Sequence, residues 1–318
     1  MINQTFDIEK LNEVEDYLRY VPYDISPCEL YNVHSLYAGF DPDSDASTDD
    51  TFDAHVYQHF MKTGKRSFST LESLARCLHD NSMQNALFTF LSDFKPTGNV
   101  GIMGGHGLLR TDPMYREIVL ISKALTERGF LMVSGGGPGA MEATHLGAWL
   151  AGHPDKEVAA VIHRLRVAPS FRDAGWLKSA MAVIRDYPQT RYKSLGIPTW
   201  LYGHEPATPF ATHIAKFFDN SIREDVILTI AFGGIIYTPG SAGTMQEIFQ
   251  DAVQNHYLSY DFASPMVFLG RQFWTEDMPI YPLLRHLSDS GRYKNLLLTL
   301  TDDKDEVVNT LVNFKPSI

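Results

Sequence analysis

From Asn99 onward, short β-branched apolar runs alternate with longer stretches in which apolar residues return every three or four positions. Runs of the first kind predict buried strands over Asn99–Met103, Phe130–Ser134, Glu157–His163, Pro198–Tyr202, Gly233–Thr238, Pro265–Gly270 and Asn295–Leu300. Stretches of the second kind predict helices over Pro113–Arg128, Ala140–Ala151, Phe210–Ala231 and Gly243–Tyr257, with Ile280–Leu287 and Asp303–Phe314 closing the chain. In Gly243–Tyr257, for instance, Met245, Ile248, Phe249, Ala252 and Val253 share one face. Strands separated by helices favour a mainly parallel sheet with helices on both faces, a doubly wound, Rossmann-like α/β fold.

Residues 1–95 read differently. Ser69–Phe94 has helical spacing, with Leu71, Leu74, Ala75, Leu78, Leu87 and Leu91 apolar, and predicts a mainly helical N-terminal extension capping a sheet domain of residues 96–318. The acidic, turn-rich stretch Asp41–Asp50 faintly mimics a calcium loop. It has Ala46 where the sharp turn needs glycine and Phe52 where a bidentate glutamate belongs, so it reads as a solvated linker.

Composition narrows the function classes. With 318 residues, 44% of them hydrophobic and 20% charged, the chain can bury a sizeable core. A net charge of -11 argues against polymeric nucleic acid, whose phosphate backbone is bound by basic surface. Only Cys28 and Cys77 occur, no leader pattern opens the chain and no apolar run approaches a bilayer span, so no membrane is expected and the cytoplasm is the expected compartment. His204, Glu205 and His213 lack the converging spacing of metal ligands, and no metal is expected.

The candidate chemistry lies in the turns after three predicted strands. Gly233–Thr238 runs into Pro239-Gly240-Ser241-Ala242-Gly243-Thr244-Met245-Gln246-Glu247; Phe130–Ser134 runs into Gly135-Gly136-Gly137-Pro138-Gly139-Ala140-Met141-Glu142; Asn99–Met103 runs into Gly104-Gly105-His106-Gly107. The first N–H groups of a helix lack internal partners and carry the positive end of its dipole, so such junctions accept anions. Gly240 and Gly243 would let a ligand approach the backbone, and Thr244 adds a hydroxyl donor. From the residues alone, ordinary strand-to-helix turns fit as well, with Glu142 and Glu247 as early-helix acids favoured by the dipole and His106 as a turn residue. Gly135, Gly137 and Ala140 also satisfy a G-x-G-x-x-A dinucleotide pattern, although not after the first strand, which keeps a nicotinamide-dependent oxidoreductase open as a weaker reading.

Together, Gly135–Glu142 and Pro239–Glu247 resemble the two signatures of the LOG family, phosphoribohydrolases once labelled lysine decarboxylase-like. The first is more similar to that of the larger bacterial nucleotide 5′-monophosphate nucleosidases of this family; the second departs from P-G-G-x-G-T-x-x-E in having Ser241 for the second glycine. The resemblance runs from about Gly98 to the C-terminus. It implies hydrolysis of the N-glycosidic bond of a nucleoside 5′-monophosphate to free base and ribose 5-phosphate, without a cofactor, by a homo-oligomer of two or more copies. It also implies that Glu247 and Arg223 are catalytic. Gly104, Gly105, His106, Gly135, Gly136, Gly137, Gly139, Met141, Glu142, Gly240, Ser241, Ala242, Gly243 and Thr244 would then bind substrate, Glu142 through a ribose hydroxyl. A nucleotide sensor that has kept the fold without hydrolysis is the rival reading, motivated by Ser241 and by a spacing from Arg223 to the signature about one residue longer than in those relatives.

Overall fold

A computed structural model describes residues 8–43 and 48–316; Ala46, and with it the centre of the acidic stretch, lies outside the described residues. Seven strands form one sheet: β1 (Asn99–Met103), β2 (Leu131–Ser134), β3 (Ser194–Gly196), β4 (His213–Ile214), β5 (Ile235–Tyr237), β6 (Pro265–Leu269) and β7 (Leu297–Thr301), in the order β4-β3-β2-β1-β5-β6-β7. Every neighbouring pair is parallel. The chain therefore starts in the middle, builds one half outward to β4, then returns to the other side of β1 and builds outward to β7. β1, β2, β5 and β6 are buried along their whole length, which is why they read as unbroken apolar runs rather than alternating ones.

Helices surround the sheet, giving the expected Rossmann-like α/β fold. Before β1 come α1 (Ile8–Tyr20), α2 (Val33–Leu36), α3 (Phe52–Thr63) and α4 (Thr70–Leu91). After it come α5 (Pro113–Glu127), α6 (Ala140–Trp149), α7 (Asp155–Leu165), α8 (Trp176–Asp186), α9 (Asn220–Ile230), α10 (Ala242–Tyr257), α11 (Ile280–Asp289) and α12 (Lys304–Val312). Asp112 caps α5 by accepting from Met114 N–H, with Pro113 at the first helical position, where its missing N–H costs nothing. α6 crosses α5 so closely that a Cβ on Gly147 would lie 2.3 Å from the Val119 carbonyl oxygen. None of the described helices is long and apolar enough to cross a membrane.

Three predicted elements are corrected. Glu157–His163 is not a strand but the body of α7, whose buried Val158, Val161, Ile162 and Leu165 recur at helical spacing after acids in the first turn. Pro198–Tyr202 is not a strand either: the strand is β3, four residues earlier, and Trp200–Tyr202 is a 3₁₀ turn started by Thr199, whose side chain accepts from Leu201 N–H. The predicted helix Phe210–Ala231 divides into the edge strand β4 and the helix α9, started by Asp219.

The N-terminal helices share the buried core of the sheet, with Tyr31, Val56, Phe60, Met83 and Leu87 in one cluster with Ile214, Phe217 and Phe218. Tyr31 and Ile214 exchange both backbone hydrogen bonds, at 2.9 and 2.7 Å. Asp53 of α3 accepts from Trp200 Nε1 at 2.9 Å and from the fully buried Lys216 Nζ at 2.6 and 2.9 Å. Removing one member of a buried pair strands the other charge. Asp53→Ala should therefore lower the unfolding free energy by about 3–5 kcal/mol in urea titration, and adding Lys216→Met should recover most of that loss.

Candidate functional site

Ligand crevices of doubly wound sheets lie beyond the carboxyl ends of the strands where the winding reverses, here β1 and β5. The turns after β1, β2 and β5 meet at that point. Gly105 N–H donates to the Pro239 carbonyl at 3.0 Å, Ala140 N–H donates to the Gly105 carbonyl at 3.1 Å, and Thr238 N–H donates to the Met103 carbonyl at 2.9 Å. Gly139 (φ +72°) packs against the β1 turn so tightly that a Cβ there would lie 2.5 Å from the Gly105 oxygen; only glycine combines that φ with that contact.

A cleft of about 330 Å³ opens over these turns. Of the residues singled out in the sequence, Gly104, Gly105, His106, Gly135, Met141, Arg223, Ser241, Ala242, Gly243, Thr244 and Glu247 line it. Met103, Tyr202, Glu205, Glu224 and Gln246 line it too; of these the sequence places only Glu205 within reach of this edge, after the predicted strand ending at Tyr202, and reads Tyr202 as core. No local pattern marks the others. Glu205 stands in a loop whose approach to the β1 turn depends on the full sheet order.

Gly136, Gly137, Gly139, Gly240 and Glu142 do not line the cleft. Gly136 N–H donates to Ser134 Oγ at 3.1 Å while its carbonyl accepts from Thr208 N–H at 2.7 Å. Gly137 N–H points at Met141 Sδ, Gly139 faces the β1 turn, and Gly240 packs on the Thr244 side chain. Glu142, 1% exposed, takes Arg110 Nε at 3.2 and 3.1 Å and Arg110 Nη2 besides, so both its oxygens are engaged before any ribose arrives. Arg110 is itself anchored on the Ala168 and Trp176 carbonyls and Ser179 Oγ. Arg110 lies 32 residues away in sequence, so no local pattern marks this pairing.

The two glycine turns thus differ. The one after β2 is buried throughout, and its helix α6 has its first amide, Ala140 N–H, committed to Gly105. His145 of α6 stiffens this turn, its Nε2 2.8 Å from Ser134 Oγ and its Nδ1 3.0 Å from Ser194 Oγ. Burial drives the His145 pKa down to about 3, so the ring is neutral. The turn after β5 is open. No side chain caps α10, and Ser241, Ala242 and Gly243 are exposed, which leaves the first amides of a 16-residue helix facing the cleft.

Glu247 lies inside that opening, 9% exposed. Burial pushes its pKa up to about 7 against the lowering influence of Arg223; Glu224 adds to the rise. One turn deeper, Asp251 accepts from Tyr237 OH at 2.7 Å and is also raised by burial to about 7. Arg223 Nε donates to the Ile197 carbonyl at 3.1 Å, and its Nη2 lies so close to Gly135 that a Cβ there would come within 2.4 Å. The helix carrying Arg223 is fixed from outside the sheet: Asp80 of α4 accepts from Phe218 N–H at 3.0 and 3.2 Å and from Asp219 N–H at 2.8 Å. Among the described residues, no group of three or more His, Cys, Asp or Glu side chains is arranged to hold a metal ion.

No protein-family model and no curated protein sequence matches the chain. Among solved structures it is similar to the molybdenum cofactor binding protein from the phototrophic bacterium Rippkaea orientalis, at 13% identity and TM-score 0.41 over 68% of this chain and 97% of that one. It is similar also to the structural-genomics target TM1055, at 18% identity and TM-score 0.42 over 68% and 99%, and to the molybdenum cofactor carrier protein from Chlamydomonas reinhardtii, at 16% identity and TM-score 0.39 over 68% and 98%.

The raised carboxyls have a consequence for stability. Folding favours the protonated forms of Glu247 and Asp251, so their contribution is complete below their ordinary values, 4.5 and 3.8, and is lost as pH rises through about 7. Glu247→Gln and Asp251→Asn should each raise the unfolding free energy at pH 8, by up to about 3 kcal/mol, and leave it nearly unchanged at pH 4. Urea titrations at the two pH values check this.

Proposed function

We propose that the protein hydrolyses the N-glycosidic bond of a nucleoside 5′-monophosphate, releasing free base and ribose 5-phosphate. The observation that carries this reading is the buried Glu247 carboxyl sharing one cleft with the uncapped amides of α10. Phosphate sits on the amides at Ala242–Thr244 and takes the Thr244 hydroxyl. The Arg223 guanidinium, held by Ile197 and stacked into the space that Gly135 leaves, grips the sugar phosphate through its planar fork.

Cleavage builds an oxocarbenium-like cation at the anomeric carbon. Ionised Glu247 stabilises that cation and takes the proton of the attacking water, and a base is most effective when its pKa lies near the working pH, as a value of about 7 does. The resemblance of Pro239–Glu247 to the second LOG signature supports the same assignment. Ser241, the departure from that signature, has a ready place here, as the residue that opens α10 without capping it.

Incubation with a panel of ribo- and deoxyribonucleoside monophosphates should release free base and the sugar 5-phosphate. Binding without any release would identify a sensor instead. Glu247→Gln should cut kcat by at least about a thousandfold while nucleotide affinity changes little, because the amide keeps the shape and loses the charge. Since the base must be ionised, kcat/KM of the wild type should rise with pH through about 7. A flat profile there would remove Glu247 from the role of base.

A further inference from the structure

Hydrolysis at the sugar is half of the reaction. The departing base must accept the electron pair of the broken bond, and a purine leaves far more readily when its N7 is protonated as the bond breaks. Glu247, which takes a proton from water, cannot also supply one to the base in the same step. The cleft therefore needs a donor of its own.

The course of the first glycine turn shows where that donor stands. A methyl group built on Gly135 would meet Arg223 Nη2 at 2.4 Å, whereas one built on Gly137 would lie 3.9 Å from Glu205 Oε2. Moving along the turn thus leads away from the arginine and from the phosphate end to a second carboxylate. Glu205 Oε1 lies 3.5 Å from His106 Nδ1, on the turn after β1, and 3.8 Å from His204 Nε2. The His106 ring meets Phe171 edge to face, with centroids 6.3 Å apart, which restrains its plane. Both His106 and Glu205 line the cleft, together with Tyr202 and Met141, the flat and polarisable side chains on which a base can rest.

The geometry points to His106 as the general acid for a departing purine, with Glu205 as its positioning residue; the assignment rests on the nucleosidase reading above. Glu205 Oε1 faces Nδ1, which leaves Nε2 to carry the transferable proton. In the step, the bond from the anomeric carbon to N9 breaks and its electron pair stays with the base. The proton on His106 Nε2 passes to N7, water forms the new bond to the anomeric carbon, and the water proton passes to Glu247. His106 ends neutral and Glu247 protonated, and solvent returns both to their starting forms.

The test separates this role from a structural one. His106→Ala should lower kcat on guanosine 5′-monophosphate on the order of a hundredfold. The same variant should lose less than about threefold on 7-methylguanosine 5′-monophosphate, whose base is already cationic and leaves without a proton. Glu205→Gln should show the same selectivity with a smaller loss and an unchanged KM. As a second arm, 7-deazaguanosine 5′-monophosphate, which lacks N7, should be cleaved slowly by the wild type and no more slowly by His106→Ala. Equal losses on the plain and methylated substrates, equal wild-type rates on the plain and deaza substrates, or a wild type that cleaves pyrimidine but no purine monophosphates would overturn the assignment. Release of base from no monophosphate at all would instead overturn the nucleosidase reading.

Discussion

The backbone of Gly105 holds the centre of this molecule together. Its N–H donates to the turn after β5 and its carbonyl accepts from the first residue of α6, so one residue ties together the loops of the three middle strands. Buried backbone groups have to be paired, and at a sheet edge where loops leave in different directions such pairing fixes their spacing. The three glycine turns at the floor of the cleft hang from this joint. It also explains why glycine is so dense here, since the close approaches of the three turns leave no room for a Cβ at Gly139.

That joint divides labour between two turns that look equivalent in sequence. The turn after β2 gives only Gly135 and Met141 to the cleft: its helix start is occupied, its interior is stiffened by His145, and its acid is locked onto Arg110. The turn after β5 keeps its amides free and places Glu247 beneath them. A carboxyl so buried is disfavoured as an anion, and the nearby Arg223 only partly offsets the cost of desolvation. The carboxyl is therefore poised near neutral pH, at some cost to stability there.

Legibility in the sequence followed the range of the interactions. β1, β2, β5, β6 and the glycine turns could be read because strand burial and helix starts are written in adjacent residues. The position of Glu247 on the first turns of the helix after β5 was legible for the same reason, while the catalytic role expected of it rests on the family resemblance. Glu157–His163 misled because a short apolar run lacks the length to separate periods of two and 3.6, and only the continuation to Leu165 reveals the helix. β3 and β4 are too short to leave a pattern, three and two residues, and are recognised by their neighbours' hydrogen bonds. Glu142 and Glu205 both owe their surroundings to distant partners. One looks like a ligand and has a distant arginine; the other sits in a loop and owes its place beside His106 to the fold.

The N-terminal helices follow from the same logic of distant partners. Helix α9 carries Arg223, yet the two amides just before it, Phe218 and Asp219, are capped by Asp80 from α4. Asp80 is in turn held by His79 Nδ1 at 2.8 Å, and His79 Nε2 reaches Tyr31 OH at 3.0 Å, next to the bridge to β4. This chain of contacts is buried, and a hydrogen bond from an amide N–H to a carboxylate is strong and directional. The pitch and depth of α9, and with them the reach of the arginine over Gly135, are set by residues more than a hundred positions earlier. Among the described residues, none of the extension lines the cleft, and its contribution is to the frame that orients Arg223.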